Sequence, residues 1–424
     1  MSLIMLAVMV VGFAISLPVA VSIGLAGAIG LLTSGTNLLI LPKEIFSAID
    51  KFPLAAIPFF ILAGNIMERG GISLRLVDLA KSMVGGLQGG LAATCVLTCM
   101  MFAAVSGSSI ATTFAIGAIL IPALVRHGYP VPYAAALQAS SAELGIIIPP
   151  SIPLILYGVS AEVSIGELFI GGIGPGIFIG IVMIAFVMIY SRIKGYGKND
   201  PVKRLPVWRA AWNALPALLL PVAILGGIYT GITTPTEASV IAVFAALIIG
   251  MFIYREIKIA DIAVILKKSV ISTAMIMFII ACAGLFSYLI TRAGVPNQIG
   301  SFLRDTLSDP LLFLLAVNVA LLLIGMFVET NSSILVLAPI LVPVAVSMGI
   351  DPVHFGLIMV INLAIGMVTP PLGVNVFAAC TVGRVPFDKV VPHLVPFIVM
   401  MIGCVLVITY FPGITLALRD LIYR

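Results

Sequence analysis

The sequence predicts an all-α polytopic membrane protein made of inverted repeats, with two re-entrant helical hairpins and two broken transmembrane helices. Three observations carry that prediction. The 424 residues are 61% hydrophobic and 9% charged, whereas a soluble domain carries about 25% charged residues. A block of sequence occurs twice. Ile119-Leu120-Ile121-Pro122, Gly128 and Gly145-Ile146-Ile147-Ile148-Pro149-Pro150 return as Ile340-Leu341-Val342-Pro343, Gly349 and Gly366-Met367-Val368-Thr369-Pro370-Pro371, and Val125 returns as Val346. The offset is 221 positions throughout, without a gap. Upstream of each block a polar patch interrupts apolar sequence: Ser106-Gly107-Ser108-Ser109, then Glu329-Thr330-Asn331-Ser332-Ser333. A duplicated pattern of interrupted apolar segments is the signature of a secondary carrier whose site lies where the repeats meet.

Apolar segments follow one another at 3–32, 52–67, 90–125, 131–160, 168–191, 211–232, 236–254, 268–291, 310–347, 353–382 and 391–417. No charge precedes Lys43, so the first segment lacks the basic flank of a cleavable signal and reads as a retained span. The loop 192–210 holds Arg192, Lys194, Lys198, Lys203, Arg204 and Arg209, and the loop 255–268 holds Arg255, Lys258, Lys267 and Lys268. Two spans separate these loops, so the positive-inside rule places both in the cytoplasm. Glu162 and Glu167 then fall outside, and Arg69, Arg75 and Lys81 fall inside. The N-terminus is expected inside and the C-terminus outside. Trp208 and Trp212 read as an interfacial belt beside the basic loop. The net charge of +5 comes from juxtamembrane Lys and Arg and does not point to nucleic acid. Cys95, Cys99, Cys282, Cys380 and Cys404 form no CxxC pair and read as packing residues.

Residues 82–125 carry no charge. Each arm flanking Ser106–Ser109 has about 16 residues, or roughly 24 Å of helix, against a hydrocarbon core of about 30 Å. The stretch reads as a hairpin whose polar tip stops inside the membrane; two tilted spans joined by a surface turn are the alternative. Residues 310–347 repeat the arrangement around Glu329–Ser333. Five spans lie between the first hairpin's exit near Arg126 and the second's entry near Asp309. That odd number makes the hairpins enter from opposite sides, as alternating access requires.

Pro149 has no N–H to donate, so carbonyls near Gly145 and Ile146 lose their helical partners opposite the tip Ser106, Gly107, Ser108 and Ser109. Gly366, Val368, Thr369 and Pro370 do the same opposite Glu329, Thr330, Asn331 and Ser332. Oxygen-only clusters of this kind suit a hard cation such as Na⁺, although the prolines alone would kink a helix and the serines alone would pack small. Glu143 and Glu329 are intramembrane carboxylates and therefore functional candidates; Glu143 has Gln138 or a backbone donor as an alternative partner. Arg292 ends the span before the second hairpin. It would clamp a substrate carboxylate or snorkel as an end-cap. Thr234-Pro235-Thr236-Glu237 fits a helix-capping box. No HExxH, phosphate loop or dinucleotide fingerprint is present. An intramembrane serine hydrolase built on Gly107-Ser108-Ser109 would need a His at membrane depth, and His127, His354 and His393 fall at predicted span ends.

Ile57-Pro58-Phe59-Phe60-Ile61-Leu62-Ala63-Gly64-Asn65, Ser106–Ser109, Gly231-Ile232-Thr233-Thr234-Pro235-Thr236-Glu237-Ala238, Asp351-Pro352-Val353-His354-Phe355-Gly356 and Gly366–Gly373 resemble the large membrane subunit of TRAP transporters, over nearly the whole chain. The resemblance implies a Na⁺-coupled, elevator-type importer of small organic acids in the bacterial inner membrane, with sialic acid or a C4-dicarboxylate as substrate. Its implied partners are a small four-helix membrane subunit and a periplasmic substrate-binding protein. It divides the chain into scaffold helices (1–89), a first transport repeat (90–160), scaffold and connecting helices (161–309), a second transport repeat (310–383) and a C-terminal transmembrane helix (384–424). By position it assigns substrate and Na⁺ contacts to Ser106, Thr112, Arg292, Glu329 and Ser333. An ion exchanger or channel without organic substrate remains the alternative function, with the hydrolase behind it.

Overall fold

The computed structural model describes residues 2–197, 205–296, 298 and 309–423; the basic residues Lys198, Lys203 and Arg204 lie outside them. The described chain is helical, and no strand occurs among these residues. Among the described residues, eight helices are long and apolar enough to cross a membrane, or nine if a bent pair is counted as one span.

The N-terminal apolar run is not one span. It folds as α1 (Ser2–Ala14) and α2 (Val19–Thr33), which pack on each other. Pro18, with its fixed φ and missing donor, opens α2 after a turn in which Ser16 takes a positive φ. Hydropathy alone could not register that break, because Leu17-Pro18-Val19 is itself apolar. Next come α3 (Ile40–Ile49), α4 (Ala56–Arg69) and α5 (Ile72–Val84). The predicted cytoplasmic stretch 69–88 thus contains a helix. Its residues Ile72, Leu76, Leu79 and Ala80 are buried at helical spacing.

The hairpins are as expected. The first is α6 (Gly90–Ser106) with α7 (Ser109–Arg126). At 17 residues, α6 is about 25 Å long, too short to cross. Gly107 turns the tip with φ +62°, and a Cβ there would stand 2.8 Å from the Pro150 carbonyl oxygen, so both the turn and the close approach need glycine. The first broken helix follows as α8 (Val131–Ala142), a short α9 (Leu144–Ile147) and α10 (Ile152–Ala161), bent by 42° at the break. Then come α11 (Ile165–Lys194), α12 (Val207–Tyr229), α13 (Pro235–Ile248) and the 34-residue α14 (Ile259–Arg292). The second hairpin is α15 (Pro310–Gly325) with α16 (Thr330–Ser347), and the second broken helix is α17 (Pro352–Met367) with α18 (Val374–Gly383). The chain closes with α19 (Phe387–Tyr410) and α20 (Gly413–Tyr423). The final apolar run therefore ends its span at Tyr410 and turns through Pro412 into a separate helix.

The sequence offset reappears in the backbone. Helices α7 and α16 are both 18 residues long and begin at Ser109 and Thr330. Pro149-Pro150 and Pro370-Pro371 are both cis. Five spans separate the hairpins, counting α8–α10 as one, so the repeats are inverted. They are also interlocked: α10 of the first repeat packs on α16 of the second, and α18 of the second packs on α7 and α8 of the first. The Tyr157 hydroxyl donates to the Pro352 carbonyl at 2.7 Å across the same junction.

Buried polar groups hold the outer helices. Asn362 donates to Asn318 at 2.5 Å, Asn318 donates to Thr409 at 3.1 Å, and the His354 ring contacts the Thr409 carbonyl at 3.1 Å and the Thr415 hydroxyl at 2.8 Å. His354 is thus occupied away from the tip serines. Arg419 of α20, 4% exposed, pairs with Asp351 at 2.8 Å and Asp420 at 2.7 Å. The capping box predicted at Thr234–Glu237 is present: the Thr234 hydroxyl accepts from the Glu237 N–H, and Glu237 accepts from the Thr234 N–H at 2.8 Å. All five cysteines are buried and free.

Candidate functional site

Both hairpin tips face one cavity of 930 Å³. Ser106–Ser109 of the first tip and Glu329–Ser332 of the second line it, with Ile146 and Met367 from the two breaks. Further walls come from α4, through Gly64, Asn65 and Glu68, from α14, through Lys268 and Ser272, and from the start of α2 and parts of α7 and α10.

The same local chemistry builds each tip. Ser108 caps α7, its hydroxyl accepting from the Ala111 N–H at 3.3 Å; Glu329 caps α16, its carboxylate accepting from the Ser332 N–H at 3.3 Å. These N-caps occupy equivalent positions of the duplication. One turn on, the Thr112 hydroxyl donates to the Ser108 carbonyl at 2.7 Å and the Ser333 hydroxyl to the Glu329 carbonyl at 3.1 Å. Neither Thr112 nor Ser333 reaches the cavity wall; both brace the tip behind it.

In the first tip three oxygens converge. The Ser106 hydroxyl lies 3.0 Å from the Thr112 hydroxyl and 3.4 Å from the Ser108 carbonyl. Gly145 of the break is pressed against them: a Cβ there would lie 2.8 Å from the Thr112 hydroxyl and 2.9 Å from the Ser108 carbonyl oxygen. Pro149 cannot donate to the Gly145 carbonyl, and Ser151 takes the Ile146 carbonyl at 2.6 Å. Hard, uncharged oxygens in this arrangement are chemically suited to an alkali cation. In the second tip, Glu329 also accepts from the Asn331 amide at 2.6 Å, while Asn331 Oδ1 is buried with no donor. A buried orphan acceptor beside a carboxylate is likewise chemistry that a cation would satisfy. Among the described residues no three His, Cys, Asp or Glu converge as a metal chelate.

The second break is closed differently from the first. The Gly366 carbonyl accepts from the Thr369 N–H at 2.9 Å, the Ile365 carbonyl accepts from the Thr369 hydroxyl at 2.7 Å, and Val368 is fully buried. Val368, Thr369 and Pro370 are outside the cavity lining, as are Gly145 and Pro149. Arg292 is also apart. It is exposed at the end of α14, donating to the Tyr288 hydroxyl at 3.3 Å.

Glu143 is fully buried, and its partner is Asn375 from the second repeat, which donates at 2.8 Å. Gln138 instead bonds Cys95 and the Thr112 carbonyl. Asn375 also accepts from Thr113 at 2.6 Å and donates to the Ala139 carbonyl at 3.2 Å, so it stitches α18 to α7 and α8. Glu143 Oε2 has no donor.

Residues 6–414 match the family described as "Tripartite ATP-independent periplasmic transporter, DctM component". The chain belongs to the DctM family. Among DctM relatives, the isethionate TRAP transporter permease protein DctMQ of Oleidesulfovibrio alaskensis is 42% identical over 94% of this chain, which spans only 63% of that longer protein. The C4-dicarboxylate TRAP transporter large permease protein DctM of Pseudomonas aeruginosa is 40% identical over 94% of both chains. The sialic acid TRAP transporter large permease protein SiaM of Vibrio cholerae is 34% identical over 92% of both. In architecture this DctM chain is similar to the crystal structure of the Alcanivorax borkumensis YdaH transporter, with a TM-score of 0.65 at 15% identity over 88% of this chain and 87% of that one. These relatives are transporter permeases, and the chain is a membrane transport protein rather than an enzyme.

Proposed function

We propose that this chain is the permease of a tripartite, Na⁺-coupled importer of small organic acids. The observation that supports it most is the convergence of two inverted hairpin tips on one cavity. Na⁺ at the Ser106, Ser108, Thr112 and Gly145 oxygens would tie the first tip to its break. A second ion beside Glu329 and Asn331 would offset the negative charge of a nearby substrate. Substrate and Na⁺ then favour each other's binding, because linkage is reciprocal.

The interlocked repeats support an elevator movement: α6–α10 and α15–α18 travel as one transport unit against a scaffold containing α4 and α14. The basic 255–268 segment lies at the Lys268 end of α14, so the positive-inside rule makes the cavity cytoplasmic-facing. The N-terminal run expected as one span is a hairpin, with Met5 beside Gly30 and Gly12 beside Ser22, so both termini are then periplasmic, in the bacterial inner membrane. A small four-helix membrane subunit covers exposed apolar scaffold faces, and a periplasmic binding protein delivers the acid. The named substrates of the relatives are acids, and those of the more similar ones are isethionate and C4-dicarboxylate. We therefore place sialic acid second to these.

The test is uptake of labelled succinate, isethionate and sialic acid into proteoliposomes, with the small subunit and binding protein present or omitted. Uptake is expected under an inward Na⁺ gradient with both partners present. Full uptake driven by a proton gradient in Na⁺-free buffer would remove the Na⁺ role. Full uptake by this chain alone would remove the partners.

A further inference from the structure

Lys268 is the one cationic side chain among the described residues that line the cavity. Two carboxylates share the lining, Glu68 and Glu329. An acid entering between the tips passes the Glu68 and Glu329 side chains, and Lys268 is the described lining group that offers it opposite charge. Arg292 does not supply that charge here. Lys268 and Arg292 stand on one continuous helix, and 24 residues separate them. At 1.5 Å per residue that is about 36 Å, more than the thickness of the hydrocarbon core.

The Lys268 ammonium lies 2.7 Å from Glu68 Oε2. Its side chain is 55% exposed and that of Glu68 is 29% exposed. An ammonium has three donors, and Glu68 occupies one of them. The pair is held in register from one turn away, where the Asn65 amide donates to the Ser269 hydroxyl at 2.9 Å and pins α4 to α14. The anchor is thus a neutral bond, and the ion pair beside it is wet and readily exchanged.

We propose that Lys268 is the anion contact of this cavity. It takes the carboxylate or sulfonate of the substrate, and Glu68 occupies it in the empty carrier until the substrate displaces that carboxylate. This rests on the acid-importer reading and adds a residue to it. Two consequences separate the idea from a purely structural ion pair. Neutralising Glu68 removes a competitor and strengthens acid binding, whereas neutralising Lys268 weakens it. A structural pair would make both changes act alike.

The experiment is calorimetric titration of succinate and isethionate into the full chain in lipid nanodiscs at saturating Na⁺, beside the uptake assay. Lys268→Gln is expected to weaken binding at least 10-fold with the Na⁺ concentration dependence unchanged. Lys268→Arg should keep most of the affinity, and Glu68→Gln should tighten binding several-fold. Wild-type affinity in Lys268→Gln overturns the proposal while leaving acid import standing. So does weakening in Glu68→Gln equal to that in Lys268→Gln, or a wild type that imports these acids but binds neither in nanodiscs. If Lys268→Gln does not fold, Glu68→Gln decides alone: unchanged or weaker binding sinks the idea. A wild type that imports no acid at all fails before any substitution is compared, and it removes the import reading and this inference together.

Discussion

Ser108 and Glu329 do the same backbone work at equivalent places in the duplication, yet one is neutral and the other carries a carboxylate. The first tip consequently depends on hydroxyl and carbonyl oxygens, with Thr112 at their centre. Thr112→Val keeps the shape and deletes the oxygen. The Na⁺ concentration for half-maximal uptake should rise about 10-fold, equivalent to about 1.4 kcal/mol, as read from initial rates against Na⁺. An unchanged Na⁺ requirement would take Thr112 out of the cation site. Asn375→Leu strips Glu143 of its side-chain donor. It should cost about 1–3 kcal/mol of stability, seen as a lower melting temperature in detergent; an unchanged melt would mean that Glu143 finds another donor. The tip residues were legible in the sequence because polar groups inside an apolar run are conspicuous. Asn375 was not, because it stands alone four residues beyond the second proline pair and its partner is 232 positions away. Lys268 was hidden for the opposite reason: surrounded by other basic residues, it read as part of an orientation signal.

At the scale of elements, length was the informative quantity. Arms too short to cross predicted both hairpins, and proline pairs predicted both breaks. Composition failed where the chain turns without leaving apolar sequence, as between α1 and α2. It also failed where a helix packs back, as α20 does on α11. The signal for that packing is one residue, Arg419, buried near the end of the chain against Asp351. Partial burial acts to raise the Asp351 carboxyl, but hydrogen bonds from Arg419 and from the His354 and Val353 N–H groups outweigh it and hold the group below the usual carboxylate range. A depressed folded value means that the stabilisation is complete above the unfolded value of about 3.9 and disappears as pH falls through the lower folded value. Arg419→Met should cost about 3 kcal/mol near neutral pH. The gap between variant and wild type should close as pH drops below about 4. A gap independent of pH would assign the loss to packing rather than to the ion pair.

Across the whole molecule, symmetry follows from counting: five spans between the hairpins invert the second repeat. Orientation follows from charge, and a labelling experiment checks it. Single cysteines replacing Lys258 and Ser164, in a background lacking the five native thiols, should react from the cytoplasmic and periplasmic sides respectively with a membrane-impermeant maleimide. Labelling of both from one side would break the parity. The interlock of the repeats also has a consequence for how the chain is made. Helix α18, which seals α7 and α8, is synthesised 248 residues after α7 ends. At about 5–20 residues per second, translation covers that distance in roughly 10–50 s. Throughout that interval the first hairpin sits in the bilayer without its closing helix, and Glu143 waits there for an asparagine the ribosome has not yet reached. Chains released before residue 374 never acquire that partner, and their Glu143 has no Asn375 amide to accept from.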